Sequence, residues 1–337
     1  MPGGRVRHRG AGSSAWRGCY HWGHSPPARA PQPRRASGSP ARGAPGQASA
    51  TAWPLVDRPV QPQTPAPLFS PTAEPERPLQ YAERPPGPEL AGHVRAHWSL
   101  EVRFGLPEGF VHHVWPDGCI SLVVVSIGGR LIAASVLGPG TRAQRVPLEI
   151  GAVYRGVRFW PDAGGMALDV DPASLRGRIV PLAVLLGGEA VMVARGVAAA
   201  PSSEEAARVF DAWLSRRLAG AGPLDTRVRD AVESLIAARG ELPVSALARR
   251  VGLGPRQFQR RFRAAVGLTP KEYARVCRGR AALAAALRDE DRWSVVAATL
   301  GYADQAHLVR DVGVLMGLTP GALRERLELI EHGPLDL

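Results

Sequence analysis

Gly267-Leu268-Thr269-Pro270 recurs fifty residues later as Gly317-Leu318-Thr319-Pro320. Residues ahead of each copy correspond at the same offset, Phe258 with Leu308, Arg260 with Arg310 and Phe262 with Val312. A repeat of this length is one supersecondary unit. The sequence from Leu224 to Ile330 is therefore predicted to contain two copies of one helical unit.

Each copy reads as a helix, a tight turn and a second helix. In the first copy the helix Val244 to Arg250 is followed by the turn Gly252-Leu253-Gly254, where glycine tolerates a positive φ. Pro255 then suits the first position of the second helix, where a missing N–H costs nothing. Gly267 is expected to end that helix, and Thr269 to cap the next one.

The second helix of the first copy has two faces at helical spacing. Phe258, Phe262 and Ala265 form one face. The other face holds three arginines and a glutamine, Arg256, Gln259, Arg260 and Arg263. Arginine can bind guanine, and glutamine adenine, through two hydrogen bonds in the major groove. A face that is merely solvated would mix acidic and basic residues. This face has no acidic residue, so a helix that contacts DNA bases is predicted.

The second copy is predicted to be the weaker half. Ser294 is expected to cap its first helix and Asp304 its second, which carries the core stripe Leu308, Val312 and Leu315. Its outward residues are Gln305, His307 and Arg310. For His307, a solvated or phosphate-facing position is as good an interpretation as a base contact. Asp311 and the surrounding acids are expected to repel phosphate.

The charge distribution agrees with this asymmetry. The chain carries a net charge of +12. Residues 1–75 contribute +7, residues 76–243 balance at zero, residues 244–288 contribute +10 and residues 289–337 contribute −5. The basic block favours a polyanionic partner, most simply nucleic acid.

The fold class predicted for the whole chain is multidomain α+β. Residues 1–77 are rich in Pro, Gly and Arg and are expected to be disordered. Residues 78–222 suggest a β-barrel or sandwich, with strands at Ile120 to Ile127, Leu131 to Leu137, Val146 to Ile150 and Val153 to Phe159, closed by a helix from Ser203 to Ala219. Residues 224–330 are expected to form an all-α domain with two helix-turn-helix units.

Several classes of protein are disfavoured by the composition. Cys19, Cys119 and Cys277 are far apart, which argues against a disulfide framework or a zinc module and fits a reducing cytosol. No apolar core follows the basic N-terminus, so no signal peptide is expected. The apolar stretch Ile179 to Ala200 is interrupted by Pro181 and a glycine pair, and is interpreted as no membrane span. A cytoplasmic location is therefore expected.

The C-terminal residues resemble the AraC-type family of transcription regulators. The resemblance is carried by Phe258-Gln259-Arg260-Arg261-Phe262, the two Gly-Leu-Thr-Pro segments, Leu300-Gly301-Tyr302 and their spacing. It implies a helix of about Pro270 to Leu287 that joins the units and places two recognition helices in successive major-groove turns. It implies base contacts from Arg256, Gln259, Arg260, Gln305, His307 and Arg310. Family members usually have an aromatic residue where this chain has Val312, and basic residues where it has Gly313 and Val314.

The middle segment is more weakly similar to the sensor domain of some family members, through Val114-Trp115-Pro116-Asp117-Gly118. Its ligand is unknown. Metal binding by His93, His97, His112, His113 and Asp117 lacks the expected spacing, so no metal or cofactor is predicted, and Cys119 is interpreted as a small core residue. Trp98, Trp115, Phe159 and Trp160 suit either a ligand pocket or a core.

The resulting hypothesis is a non-enzymatic, sequence-specific regulator that binds double-stranded promoter DNA. RNA polymerase, a small-molecule effector and a second copy of the chain are further candidate partners. An enzyme tethered to DNA is the alternative, which a bound metal or a convergent polar site would favour. Non-specific DNA binding is another, which competition with bulk DNA would reveal.

Overall fold

The computed structural model describes residues 77–107, 110–287 and 293–332. The disorder predicted for residues 1–77 therefore lies outside the described residues, except for Arg77. The described chain consists of a β-rich part, residues 79–218, and a helical part, residues 226–328.

The β-rich part is built on antiparallel strands. They are β1 (Leu79–Arg84), β2 (Val94–Val102), β3 (His112–Val114), β4 (Ser121–Ile127), β5 (Arg130–Leu137), β6 (Gln144–Val146), β7 (Ala152–Phe159) and β8 (Ile179–Pro181). A further strand near the C-terminus, β9 (Ile330–His332), completes a seven-stranded sheet of order β8-β5-β4-β7-β2-β1-β9. The strands β3 and β6 form a separate two-stranded sheet.

The strands predicted at Ile120 to Ile127 and Leu131 to Leu137 are confirmed, and they form a hairpin. β4 pairs antiparallel with β5, and Gly128 and Gly129 both adopt a positive φ, 56° and 75°, as a tight hairpin turn requires. The strand predicted at Val146 to Ile150 is wrong. β6 ends at Val146, because Pro147 has no N–H for a ladder hydrogen bond, and Ile150 is 62% exposed.

Three helices accompany these strands, α1 (Gly164–Leu168), α2 (Leu182–Ala199) and α3 (Ser203–Leu218). The helix predicted from Ser203 is confirmed as α3, and the Ser202 hydroxyl caps it by accepting from the Glu205 N–H. The helix α2 was not predicted, since its glycines made the segment look like strands and turns.

By length and composition α2 could cross a membrane. At Gly187, however, φ is 74° and ψ is −164°, so the helix is broken into two shorter pieces. The longer piece, residues 188–199, spans about 18 Å, well short of the ~30 Å hydrocarbon core of a bilayer. The break supports the interpretation that this segment is no membrane span.

The helical part contains the predicted units. Its helices are α4 (Thr226–Ala237), α5 (Val244–Arg250), α6 (Pro255–Val266), α7 (Pro270–Leu287), α8 (Trp293–Thr299), α9 (Gln305–Met316) and α10 (Pro320–Glu328). One prediction is wrong in detail. Ser294 is the second residue of α8 rather than its cap, because Trp293 already belongs to the helix.

Each part has its own hydrophobic core. Strands β2, β4, β5 and β7 pack with α1, α2 and α3 around residues such as Leu122, Phe159 and Phe210. The helical part packs around Phe258, Phe262 and neighbouring aliphatic residues. The fold is therefore a β-rich part followed by a helical part, in agreement with the α+β class.

Candidate nucleic-acid interface

The helix α6 is fixed in place by its ends and by an aromatic cluster. Pro255 occupies its first position, and Gly267 ends it with φ at 79°. The Phe258 and Phe262 ring centroids lie 5.7 Å apart, and the Phe262 and Tyr273 centroids lie 5.8 Å apart. All three rings are buried, so the inner side of α6 is anchored to the core and to α7.

The outer side of α6 is cationic. The four predicted residues, called the reading face below, are all exposed: Arg256, Gln259, Arg260 and Arg263. The helix contains no acidic residue, and these arginines form no ion pair with other described residues. By contrast, the guanidinium of Arg261, on another side of α6, lies 2.9 Å from the Asp225 carboxylate.

The turn between α6 and α7 is held by a reciprocal cap. The Thr269 N–H donates to Glu272 Oε2 at 2.9 Å, and the Glu272 N–H donates to the Thr269 hydroxyl at 3.3 Å. Burial acts to raise the pKa of Glu272, but these hydrogen bonds and the Arg176 guanidinium hold it below its usual value. The long helix between the units, predicted at Pro270 to Leu287, is thereby oriented against α6.

The helix α9 repeats the scaffold with a different surface. The Asp304 carboxylate caps it by accepting from the His307 N–H at 2.6 Å, as predicted. Leu308, Val312 and Leu315 are buried. The three outward residues are exposed as expected, Gln305, His307 and Arg310. The His307 ring also lies edge-on to Tyr302, with the centroids 5.2 Å apart.

The expectation that Asp311 repels phosphate is wrong. Asp311 is only 9% exposed, and its carboxylate accepts from Arg275 Nε at 2.5 Å and from the Tyr302 hydroxyl at 3.0 Å. At 100° per residue it lies 60° from Leu308, beside the core stripe, so the helical spacing could have revealed its position. Asp311 links α9 to α7 instead of facing outward.

Both units contact the β-rich part, which the sequence did not reveal. Next to the first unit, Glu272 of α7 forms an ion pair with Arg176 at 2.6 Å. The Arg229 side chain of α4 lies 2.9 Å from the Asp162 carboxylate and also donates to the Gly92 carbonyl. The two ion pairs join residues 96 and 67 positions apart, and Gly92 is 137 positions from Arg229, so no local pattern identifies these contacts.

The second unit is joined through main-chain contacts. The Ala143 N–H donates to the Leu315 carbonyl at 2.7 Å. Strand β9, which follows α10, pairs parallel with β1 through Leu79 and Ile330. The helical part is thus attached to the β-rich part at both units, while its predicted DNA-contacting residues stay exposed.

The other candidate sites of the β-rich part are dispersed. Across the described residues, no group of three or more His, Cys, Asp or Glu side chains is placed to hold a metal. Cys119 is 3% exposed, and burial raises the pKa of its thiol to about 12, in keeping with a core residue. Burial, with His113 and Arg326 nearby, lowers the pKa of His112 to about 4.

The four aromatic residues considered for a ligand pocket, Trp98, Trp115, Phe159 and Trp160, have different neighbours. Phe159 is fully buried in the β-rich core, whereas Trp115 packs against the core of the helical part. The Trp160 indole donates to the Ala91 carbonyl, and Trp98 stacks with Tyr81.

Two domain families match the chain. Residues 247–326 match a family described as a helix-turn-helix domain, and residues 82–181 match a domain of unknown function, DUF6597. No curated protein sequence matches the chain.

Three solved structures illustrate the similarity. The C-terminal domain of AraT, a response regulator from Geobacillus stearothermophilus, is 20% identical with a TM-score of 0.29, covering 31% of this chain and 88% of that one. An apo ToxT variant from Vibrio cholerae strain SCE256 is 10% identical with a TM-score of 0.38, covering 64% and 92%. Wild-type ToxT from that strain with bound unsaturated fatty acid is 11% identical with a TM-score of 0.36, covering 66% and 92%.

The helix-turn-helix match agrees with the repeat and with the exposed cationic face of α6, and the DUF6597 match covers much of the β-rich part. The chain therefore carries an AraC-type helix-turn-helix domain behind a DUF6597 domain, and is a DNA-binding transcription regulator.

Proposed function

We propose that this chain binds specific promoter sequences and reads the major groove mainly with α6. The observation that carries the proposal is the reading face. Its three guanidinium groups and one amide are exposed together, opposite a buried aromatic anchor, on a helix without acidic residues. A rigid helix with outward arginines can place their paired donors against guanine O6 and N7.

Phosphate contacts would hold this helix in register. Arg249 and Arg250, at the end of α5, are exposed beside the turn that leads into α6. Together with the basic block of residues 244–288 they supply sequence-independent affinity, which weakens as salt rises. The remaining arginines of the block include Arg275, which is paired with Asp311 and is less available to DNA.

In this proposal α9 makes a second, weaker contact through Gln305, His307 and Arg310. Arg310 is the one cation on that helix, and Val314 is an exposed apolar residue where the family usually has a base. The helix α7 would separate the two recognition helices by one duplex turn, about 34 Å. The second unit then fixes the position of the protein along the duplex more than it adds affinity.

We further propose that residues 224–330 act as the DNA-binding domain and residues 78–222 as a sensor-like domain. The ion pairs of Arg176 and Arg229, together with the β1–β9 pairing, support coupling between the two. Through these contacts a small-molecule effector or a second copy of the chain could alter DNA binding. Contact with RNA polymerase would then set the output.

The experiment is selection of bound duplexes from random DNA with the full chain, followed by competition titrations on the selected site. Arg260→Ala should cost about 1–3 kcal/mol and relax the preference at one base pair. Arg261→Ala is the matched control, since it removes the same charge from the same helix away from the reading face. No enriched sequence, or equal losses for the two variants, would contradict the proposal.

A further inference from the structure

Four polar side chains form a connected cluster inside the helical part. Arg275 and Arg278 lie on α7, Tyr302 lies in the turn before α9, and Asp311 lies on α9 itself. The Asp311 carboxylate accepts from Arg275 Nε at 2.5 Å and from the Tyr302 hydroxyl at 3.0 Å. This set of four residues, called the polar cluster below, therefore joins α7 to the turn and to the recognition helix of the second unit.

The polar cluster also reaches the helices of the first unit. Arg278 Nη1 donates to the Gly240 carbonyl at 3.1 Å, and the guanidinium carbon of Arg278 lies 5.9 Å from the centroid of the Tyr302 ring. Gly240 lies in the loop between α4 and α5 with φ at 77°, so close to α7 that an added Cβ would collide with the Ala274 carbonyl oxygen. Both units are therefore attached to the same stretch of α7, residues 274–278.

The apolar contact between α7 and α9 specifies the orientation of α9 only loosely. At its centre α7 presents Gly279, where an added Cβ would lie 2.7 Å from Leu315 Cδ1 and 3.0 Å from Met316 Cε. A glycine has no side chain to interlock with these aliphatic neighbours. Small rotations of α9 therefore change the apolar contact little, since cores lose a unique arrangement before they lose stability.

The polar cluster does not tolerate such rotations. A buried carboxylate that loses its partners strongly destabilises a fold, whereas one that keeps its ion pair and hydrogen bonds is accepted. Burial and the Asp311 carboxylate raise the pKa of Tyr302 well above its usual value, so its hydroxyl remains a donor. Asp311 is satisfied when α9 brings it to both Arg275 and Tyr302. A single buried polar residue fixes the register of coiled-coil helices for the same reason.

We propose that the polar cluster consists of positioning residues, which hold α9 in one orientation relative to α6. Because α6 and α9 contact two segments of one duplex, a fixed orientation makes binding selective for the spacing between those segments. This selectivity rests on the proposed function, whereas the single orientation of α9 does not. The polar cluster thus determines specificity without itself contacting a base.

The test uses the full chain with three residues of the polar cluster made apolar together, Arg275→Met, Tyr302→Phe and Asp311→Leu. Replacing a buried ion pair by apolar groups of similar size is often neutral or stabilising, so this apolar variant should fold. The matched control is Glu204→Leu with Arg208→Met, which removes an ion pair of the same charges from α3.

The first readout is a distance measured without DNA by pulsed electron spin resonance. Spin labels are attached to cysteines that replace Ala264 on α6 and Val314 on α9, both exposed, in a Cys19→Ser background, since Cys119 and Cys277 are buried. The wild type and the control should give one narrow distribution of distances. The apolar variant should give a distribution about twice as broad, or a second distance.

The second readout is affinity for the selected duplex and for duplexes with one base pair added or removed between the two contacted segments. The wild type should bind the altered duplexes at least about tenfold more weakly than the selected one. The apolar variant should bind them at most about threefold more weakly, with affinity for the selected duplex within about twofold of the wild type.

The positioning role is overturned if the apolar variant keeps the narrow distance distribution of the wild type. Should that variant not fold, Tyr302→Phe alone decides, because an unchanged distribution for it overturns the role as well. A broader distribution with unchanged discrimination between spacings overturns the link to specificity. A wild type that selects no sequence, or one contacted segment alone, counts against the proposed function, while the distances still decide the orientation of α9.

Discussion

The helices α6 and α9 occupy equivalent places in one repeat yet present different surfaces. Both follow a tight turn, end at a glycine with positive φ and bury one side at helical spacing. On α6 the buried side holds two phenylalanines, and the exposed side is cationic. On α9 the buried side is aliphatic, and a carboxylate, Asp311, is drawn inward to Arg275 and Tyr302.

This difference indicates that separate residues set the scaffold and the surface of a helix-turn-helix unit. The Gly-Leu-Thr-Pro segments and the turn glycines fix where each helix lies. The charges on the outer side then determine how strongly that helix attracts DNA. Two units can therefore share a fold and contribute unequally to binding.

The largest expected effect concerns the aromatic anchor. Phe262→Ala should lower the free energy of unfolding by about 3–5 kcal/mol, because it opens a cavity between α6 and α7. The equivalent change Val312→Ala removes less buried surface and should cost roughly 2 kcal/mol. Both residues are fully buried, so urea unfolding of the two variants compares the anchors directly. Equal losses in the free energy of unfolding for Phe262→Ala and Val312→Ala would contradict a stronger anchor on α6.

The next effect concerns Asp311. Asp311→Ala should lower the free energy of unfolding by about 1–3 kcal/mol, since the buried Tyr302 hydroxyl loses its acceptor. DNA affinity should stay within about twofold, because the lost charge does not face the duplex. Glu325→Ala, an exposed acid on α10, is the control for the same charge change without the stability cost. A stable Asp311→Ala variant that binds DNA several times tighter would place Asp311 on the DNA side.

The smallest effect concerns two glycines, Gly313 inside α9 and Gly267 at the end of α6. Gly313→Ala should stabilise the fold by about 0.5–1 kcal/mol, because an added Cβ meets no atom within 4 Å and alanine favours the helix. Gly267→Ala should destabilise it by more than about 1 kcal/mol, since φ is 79° and the new Cβ would lie 2.7 Å from the Pro172 carbonyl oxygen. Thermal unfolding measures both signs, and a destabilising Gly313→Ala would mean that α9 needs its glycine.

Local patterns made the helical part, α3 and the β4–β5 turn predictable from the sequence. The caps at Ser202, Asp225, Thr269 and Asp304 form short-range hydrogen bonds, and the faces of α6 follow from a period of 3.6 residues. The β4–β5 turn follows from two glycines. Each of these features depends on neighbours within a few positions.

Features that depend on distant partners were not predictable. The pairing of Asp311 with Arg275 joins residues thirty-six positions apart, and the pairing of β9 with β1 joins opposite ends of the described chain. A cavity lined by Arg95 and Arg239 also needs distant residues to meet, which no periodicity encodes. The helix α2 was not predicted because its glycines made the composition look non-helical. One of them, Gly187, adopts the positive φ at which the helix breaks.

The most direct test of the central claim compares Arg260→Ala with Arg310→Ala, which replace the equivalent residues of α6 and α9. Both side chains are exposed and each variant loses one positive charge, so their effects on affinity for one selected duplex can be compared directly. Because α6 is proposed to dominate binding, we expect Arg260→Ala to lower affinity at least about fivefold more than Arg310→Ala, with relaxed preference at one base pair. Equal losses, or a greater loss for Arg310→Ala, would contradict it.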